Sequence, residues 1–166
     1  MIIKGYACHW NKANANGEIV TPESFDKVLA RAKENNLSIP INYNHQEGLI
    51  LGKILNFYKD SQGLFIEAEL NDEVDLVKNM VAPLVKDGTL NRFSTEGYYQ
   101  KNDKVRVDKN AYLLKNFELT AVAIVPLPAD LDAVFSHNNI HVFNAYDEEV
   151  EKVECKGLFN KSLYII

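Results

Sequence analysis

The run Leu64-Phe-Ile-Glu-Ala-Glu-Leu70 sets Leu64, Ile66, Ala68 and Leu70 against Phe65, Glu67 and Glu69. A period of two is the mark of a strand with one buried and one wetter face, and no helix buries one side with that spacing. Asp60-Ser-Gln-Gly63 precedes the run as a hairpin turn, and Ile50 to Tyr58 precedes the turn as a further strand. A lone hairpin does not hold in water, so the chain must supply more strands to extend and cover this one.

Ile2 to Trp10 is rich in β-branched and aromatic residues and runs into Asn11-Lys-Ala-Asn-Ala-Asn-Gly17, whose Asn and Gly residues tolerate positive φ, so it reads as strand then turn. Thr21-Pro22 opens an amphipathic helix to about Asn35, with Phe25, Val28, Leu29 and Ala32 at i, i+3, i+4 and i+7. Pro40 makes Ser38 to Tyr43 an edge or short strand that delivers His45 to a loop. From Glu73 the apolar positions Val74, Val77, Val81, Leu84 and Val85 take helical spacing, with Pro83 as a kink and Gly88 as the stop. Arg92 to Gln100 and Val105 to Val107 read as a hairpin around Lys101-Asn-Asp-Lys104, and Tyr112 to Val125 as one long central strand ended by Pro126-Leu-Pro-Ala129. Asp130 to Phe135 is expected as a short helix. In the tail, Asn139 to Ala145 reads as a strand, Asp147 to Val153 as a solvated helical turn and Ser162 to Ile166 as a last strand. About seven or more strands with two main helices inserted make an α+β fold built on an antiparallel barrel or sandwich. Neither an internal repeat nor a Gly, Pro or Ser-rich linker divides it.

Composition excludes several functions. The 166 residues, 46% hydrophobic, suit a single core without disulfides or a structural metal. A net charge of −5 argues against a nucleic-acid surface, which shows a basic stripe with aromatic stackers. No apolar run reaches the roughly 18 to 20 residues that span a bilayer, and Met1-Ile-Ile-Lys lacks the basic and apolar regions of a secretory leader, so folding in a cytoplasm is expected. Cys8 and Cys155 match no metal or redox spacing and read as reduced, partly buried thiols. His137 and His141 stand at i, i+4 but in a turn-and-strand context, so no metal site is expected; His9 beside Trp10 reads as a half-buried polar contact.

Three residues carry chemistry. Ser94 lies in Gly88-Thr-Leu-Asn-Arg-Phe-Ser-Thr-Glu-Gly-Tyr-Tyr99, between a helix stop and an aromatic strand. A weak alcohol becomes a nucleophile when a base takes its proton and a third group orients that base. His45, in Ile41-Asn-Tyr-Asn-His-Gln-Glu47, is the candidate base, and Glu118, opening Phe117-Glu-Leu-Thr-Ala-Val-Ala-Ile-Val125, is a candidate orienter.

Gly5-Tyr-Ala7, Asn16-Gly-Glu-Ile-Val20, the helix start Pro22 to Phe25, Asn44-His45, Gly52-Lys-Ile, Gly63-Leu, Asp87-Gly-Thr-Leu with Phe93-Ser-Thr-Glu-Gly-Tyr98, and Val125-Pro-Leu-Pro-Ala129 follow one another in an order that resembles the tailed-phage prohead (capsid maturation) proteases, over roughly residues 4 to 135. That resemblance implies a mostly antiparallel β-barrel flanked by helices, as in the related herpesvirus assembly proteases, with a protease domain over 1–135 and a C-terminal extension over 136–166. It implies a serine endopeptidase with Ser94 as nucleophile and His45 as general base, and no cofactor. Its substrates would be the scaffold protein, the major capsid protein and itself, within the procapsid in the host cytoplasm. It implies no nucleic-acid or membrane partner and allows a homodimer. Two positions depart from the pattern. The nucleophile stands in Ser94-Thr-Glu-Gly97 rather than Ser-x-Gly, which leaves Glu96 structural or tuning. Where many members carry a Glu in the middle of the strand before the closing Pro-Ala, this chain has Ala121. On a regular strand Glu118 faces the opposite way from position 121, and only a bulge would reconcile them. The third member is therefore Glu118, Glu96 or none, and a Ser–His dyad stands as the fallback. A catalytically silent assembly module that binds scaffold or shell protein is the alternative from another class.

Overall fold

The computed structural model of the chain describes residues 1–137 and the strand backbone at 153–156 and 162–165. Strand β1 (Ile2–His9) and the short β2 (Glu18–Val20) lead into a 3-10 turn at Pro22–Phe25 and helix α1 (Asp26–Glu34). Buried Ser24 fixes that entry: its hydroxyl accepts from the Thr21 amide at 2.9 Å and donates to the Leu114 carbonyl at 2.5 Å. Val28, Leu29 and Ala32 carry the buried stripe of α1, as the spacing requires.

Strands β3 (Pro40–Tyr43), β4 (Gln46–Lys59) and β5 (Gly63–Leu70) form a meander, with the alternating run in β5 pairing on both sides. The second helical segment covers 75–86, a wide π-helical turn at Val77–Val81 continuing as α2 (Ala82–Lys86). The wide turn lies just before Pro83, whose ring a regular helix would drive against the preceding turn. Gly88 then takes φ +84 and stops the helix. Strand β6 (Arg92–Tyr98) follows, then β7 (Lys104–Asp108), β8 (Ala111–Leu114), β9 (Glu118–Val125) and β10 (Phe135–Ser136), with β11 (Val153–Lys156) and β12 (Ser162–Ile165) in the tail.

The main sheet runs β10-β1-β5-β4-β3-β9-β6, and β2-β8-β7 make a separate small sheet. The two ends of the main sheet meet. Arg92 bridges Val134, the Phe93 amide donates to the Ala133 carbonyl at 2.9 Å, and the Phe135 amide donates to the Asn91 carbonyl at 2.9 Å. With β10 on β1, these bonds close the sheet on itself, and closure removes the exposed edges there. Phe93 and Phe135 stack across the seam with ring centroids 4.4 Å apart. The result is an α+β, mostly antiparallel barrel with helices packed on it, as the strand pattern predicts.

Several sequence expectations are corrected. The expected helix from Asp130 to Phe135 is a turn leading into β10, because its backbone groups are taken up in closing the seam. Tyr112 to Val125 is not one strand. The Lys115 amide bonds to the Asp103 carbonyl and the Phe117 amide to the Ser24 carbonyl, so the chain leaves the small sheet after β8 and enters the main one at β9. The expected hairpin between β6 and β7 is absent, since β6 pairs with β9 and β7 with β8. Strand β3 is short but not an edge: it lies between β4 and β9, parallel to β9, and Pro40 is tolerated as its first residue. The strand and helical turn expected at Asn139 to Ala145 and from Asp147 lie outside the described residues.

Phe135 is buried and holds the seam. Replacing it with Ala is expected to lower unfolding free energy by about 3–5 kcal/mol, read from the urea midpoint.

Candidate active site

Strand β6 carries Ser94 and, two residues on and so on the same face, Glu96. Ser94 pairs in register with Ala123 of β9, and Ala123 pairs in turn with Asn42 of β3; Glu96 pairs with Ala121. One sheet face therefore presents Ser94, Glu96 and Asn42 around two alanines. The other face of the same strands gives Phe93, Val122, Ile124 and Ile41 to the core. The small alanines leave room above β9 for a side chain from β6 to reach β3.

Glu96 makes that reach. Its Oε2 accepts from Asn42 Nδ2 at 2.9 Å and lies 3.2 Å from His45 Nδ1. His45 stands in the two-residue turn between β3 and β4, where Asn44 has φ +51 and His45 φ +59. Positive φ at both central residues is the tight hairpin geometry whose twist matches the flanking strands. Asn tolerates it well and His less so, at about 1–2 kcal/mol relative to a residue without a Cβ. The Asn44 amide pins the turn to the Ile124 carbonyl of β9 at 3.0 Å. His45, Ser94 and Glu96 line one cavity of about 380 Å³. The ring's hydrogen-bond partner there is Glu96 rather than Ser94. Ser94 is 8% exposed and the His45 side chain 43%.

Glu118 lies elsewhere. A bulge is present on β9: Glu96 pairs with Ala121 and Gly97 with Leu119, leaving Thr120 as the extra residue, its hydroxyl donating to the Glu96 carbonyl at 3.1 Å. Leu119 joins the core, and the Glu118 carboxylate is held by the Arg31 guanidinium of α1. The carboxylate beside His45 is thus Glu96. At Gly97 a Cβ would come 2.1 Å from the Glu118 carbonyl, so the strands approach this closely only with glycine there.

The lining of the cavity also holds a second histidine–carboxylate pair, between residues distant in sequence. Asp130 Oδ2 accepts from the His9 amide at 2.8 Å and lies 2.9 Å from His9 Nδ1. Burial pushes the Asp130 carboxyl up, but the hydrogen bonds from His9 and the Asp132 amide and the charge of His9 outweigh it and hold the group below its ordinary value. Burial also pushes the Cys8 thiol well up, against a hydrogen bond with the Leu64 backbone, so at neutral pH it is a thiol and a poor nucleophile. Among the described residues no group of three or more His, Cys, Asp or Glu side chains is placed to hold a metal ion, and no helix is long and apolar enough to cross a membrane. His141 and Cys155 side chains lie outside the described residues. Sequence reading missed Asn42 and Asp130 as parts of this site. Neither has a local signature, because each acquires its partner only through the pairing of distant segments.

The family model described as caudovirus prohead serine protease matches residues 1–152. The prohead protease of Escherichia phage T5 is 28% identical over 135 residues, covering 81% of this chain and 61% of that protein. The chain therefore spans about three fifths of that relative's length. Among solved structures, the bacteriophage T4 capsid assembly protease superposes with a TM-score of 0.62 at 13% identity, over 75% of this chain and 80% of its own. The KSHV protease, solved with a hexapeptide phosphonate inhibitor, gives 0.56 at 14% identity, over 82% of this chain and 65% of its own. These two likenesses establish a shared fold with phage and herpesvirus proteases.

Two outcomes follow from this geometry. His45→Gly is expected to keep the melting temperature or to raise unfolding free energy by up to about 1 kcal/mol, because glycine adopts the turn without strain. Asp130→Asn is expected to destabilise at neutral pH. Because the folded carboxyl titrates below its unfolded value, its contribution is present above about pH 4 and lost as pH falls through the folded value, so denaturation curves of variant and parent converge in acid.

Proposed function

The chain belongs to the caudovirus prohead serine proteases, and on that premise we propose that it is a serine endopeptidase in which Ser94 is the nucleophile, His45 the general base and Glu96 the group that orients the base. The observation that carries this reading is the His45–Glu96 hydrogen bond in the wall of the cavity that Ser94 also lines. With its hydrogen on Nδ1 directed at Glu96, the neutral ring keeps a lone pair on Nε2. Nε2 takes the Ser94 proton as Oγ bonds to the scissile carbonyl carbon. The imidazolium so formed faces the Glu96 carboxylate, then returns the proton to the leaving amine as the C–N bond breaks. Water, deprotonated by the same nitrogen, hydrolyses the acyl-enzyme.

Glu96 is the direct cross-strand partner of Ala121, the position where the family pattern sets a Glu. A carboxylate on β6 thus stands directly across the strand pair from that position on β9. Glu118, engaged by Arg31, is assigned a role in holding α1 to β9.

The names of the relatives support phage procapsid proteins as substrates: scaffold protein, the major capsid protein and the chain's own extensions, cut inside the assembling shell in the host cell. Each proton in this scheme is carried by His45, so the proposed steps call on no cofactor.

The test is labelling by a serine-reactive phosphonate, read by intact mass and peptide mapping. A single adduct on Ser94 that vanishes in His45→Ala supports the reading. A folded protein that takes no adduct and cleaves no co-expressed scaffold would mark it as a silent assembly module. Ser94→Ala is expected to lower scaffold cleavage at least about 10³-fold and Glu96→Ala about 10²–10⁴-fold. Restoring a carboxylate from the neighbouring strand, in Glu96→Ala/Ala121→Glu, is expected to regain at least about tenfold of the loss, an outcome that a purely structural Glu96 would not give.

A further inference from the structure

Asn42 is 1% exposed, and its side-chain Oδ1 is buried with no hydrogen-bond partner among the described residues. A buried acceptor left unpaired is costly, whereas an apolar side chain of the same shape there would carry no such penalty. The other end of the amide is engaged, since Nδ2 donates to Glu96 Oε2, the same oxygen that faces His45 Nδ1. We infer that Asn42 is a positioning residue of the active site, holding the Glu96 carboxylate in the one orientation that meets the His45 ring. The inference rests on the assignment of Ser94, His45 and Glu96 made above.

The physical need is plain from the reach. Glu96 extends from β6 across Ala121 and Ala123 of β9, and a side chain with that length and partial exposure has rotamers to spare. A second donor on Oε2 removes them. Asn suits this role because its amide cannot lose the donated proton at any working pH, whereas a carboxyl or imidazole there would titrate. The hairpin also couples the two donors: Asn42 and His45 sit on one strand and its turn, so the base and the group that aligns its carboxylate move as one body. The titratable groups facing Asn42 are Glu96 from β6 and His45 from the turn, while β9 presents Ala121 and Ala123 and β4 pairs Ile50 with it.

Two near-isosteric variants test this. Asn42→Leu keeps the branching and heavy-atom count of the side chain and removes both polar atoms. It is expected to fold and to lose about ten- to a hundredfold in kcat for scaffold cleavage with KM unchanged. Asn42→Asp sets two carboxyls against one another, so one holds its proton to unusually high pH. Below that point the hydroxyl of the introduced carboxyl stands in for the amide and activity approaches the parent's. Above it the donor is gone and activity falls, an alkaline limb that the parent lacks. Should the Leu variant fail to fold, the pH profile of the Asp variant still decides. Parental kcat in Asn42→Leu, or an Asp variant with the parent's pH profile, would overturn the inference. If Ser94→Ala and Glu96→Gln also left phosphonate labelling and cleavage intact, it is the site assignment that fails; if they abolish both and the Asn42 variants do not, only the role of Asn42 fails.

Discussion

The seam at which β6 meets the segment 133–135 is the constraint on which the rest of the molecule depends. A sheet of this length with hydrophobic faces on one side must either expose an edge or close, and here backbone bonds between Asn91, Phe93, Ala133 and Phe135 close it. Closure brings the start of β6 beside β1, and the cavity forms where these strands and the β2–β8 sheet approach one another, with Ser94, His9 and Asp130 in its lining. The residue before Ser94, Phe93, is a core anchor, so the backbone of Ser94 is set by packing rather than by a mobile loop. A rigid strand position of this kind limits the motion of a nucleophile more than a surface loop would.

The opposite design governs the histidine. His45 occupies a turn of two consecutive positive-φ residues, where a glycine would relax the backbone. The ring is half exposed, yet it is tethered from behind by a carboxylate that is itself held by a buried amide. Stability is spent at this turn and at the unpaired Asn42 oxygen, and both sites converge on one carboxylate oxygen. Strain and unsatisfied polarity collected around a single atom group are what a functional site leaves in an otherwise well-paired fold.

Alternation at 64–70, helical spacing in α1 and the turn residues at 60–63 were legible in the chain because they are local: period, cap and breaker are written within a few residues of one another. The strand-rich α+β class followed from them. Ser94 and His45 were legible as chemistry-bearing types in a motif order resembling prohead proteases, and both line the cavity in the fold. What the chain did not display is pairing. Tyr112 to Val125 looks continuous until Ser24 and Asp103 claim its middle backbone groups, and Asp130 to Phe135 looks helical until the seam needs its amides.

The carboxylate beside His45 makes the division plain. The sequence marks which residues are able to act as nucleophile, base and carboxylate, since that is a matter of side-chain chemistry. It put Glu118 forward as the orienting carboxylate, with Glu96 as the alternative, because spacing along a strand does not say which neighbouring strand lies alongside. It takes the folded chain to set β3 parallel to β9, to send Leu119 to the core through a bulge at Thr120, and to give Glu118 to Arg31 and Glu96 to Asn42 and His45. The physical reason is that hydrogen-bond partners in a sheet are chosen by register between segments far apart in the chain, and register is an outcome of the whole core packing at once.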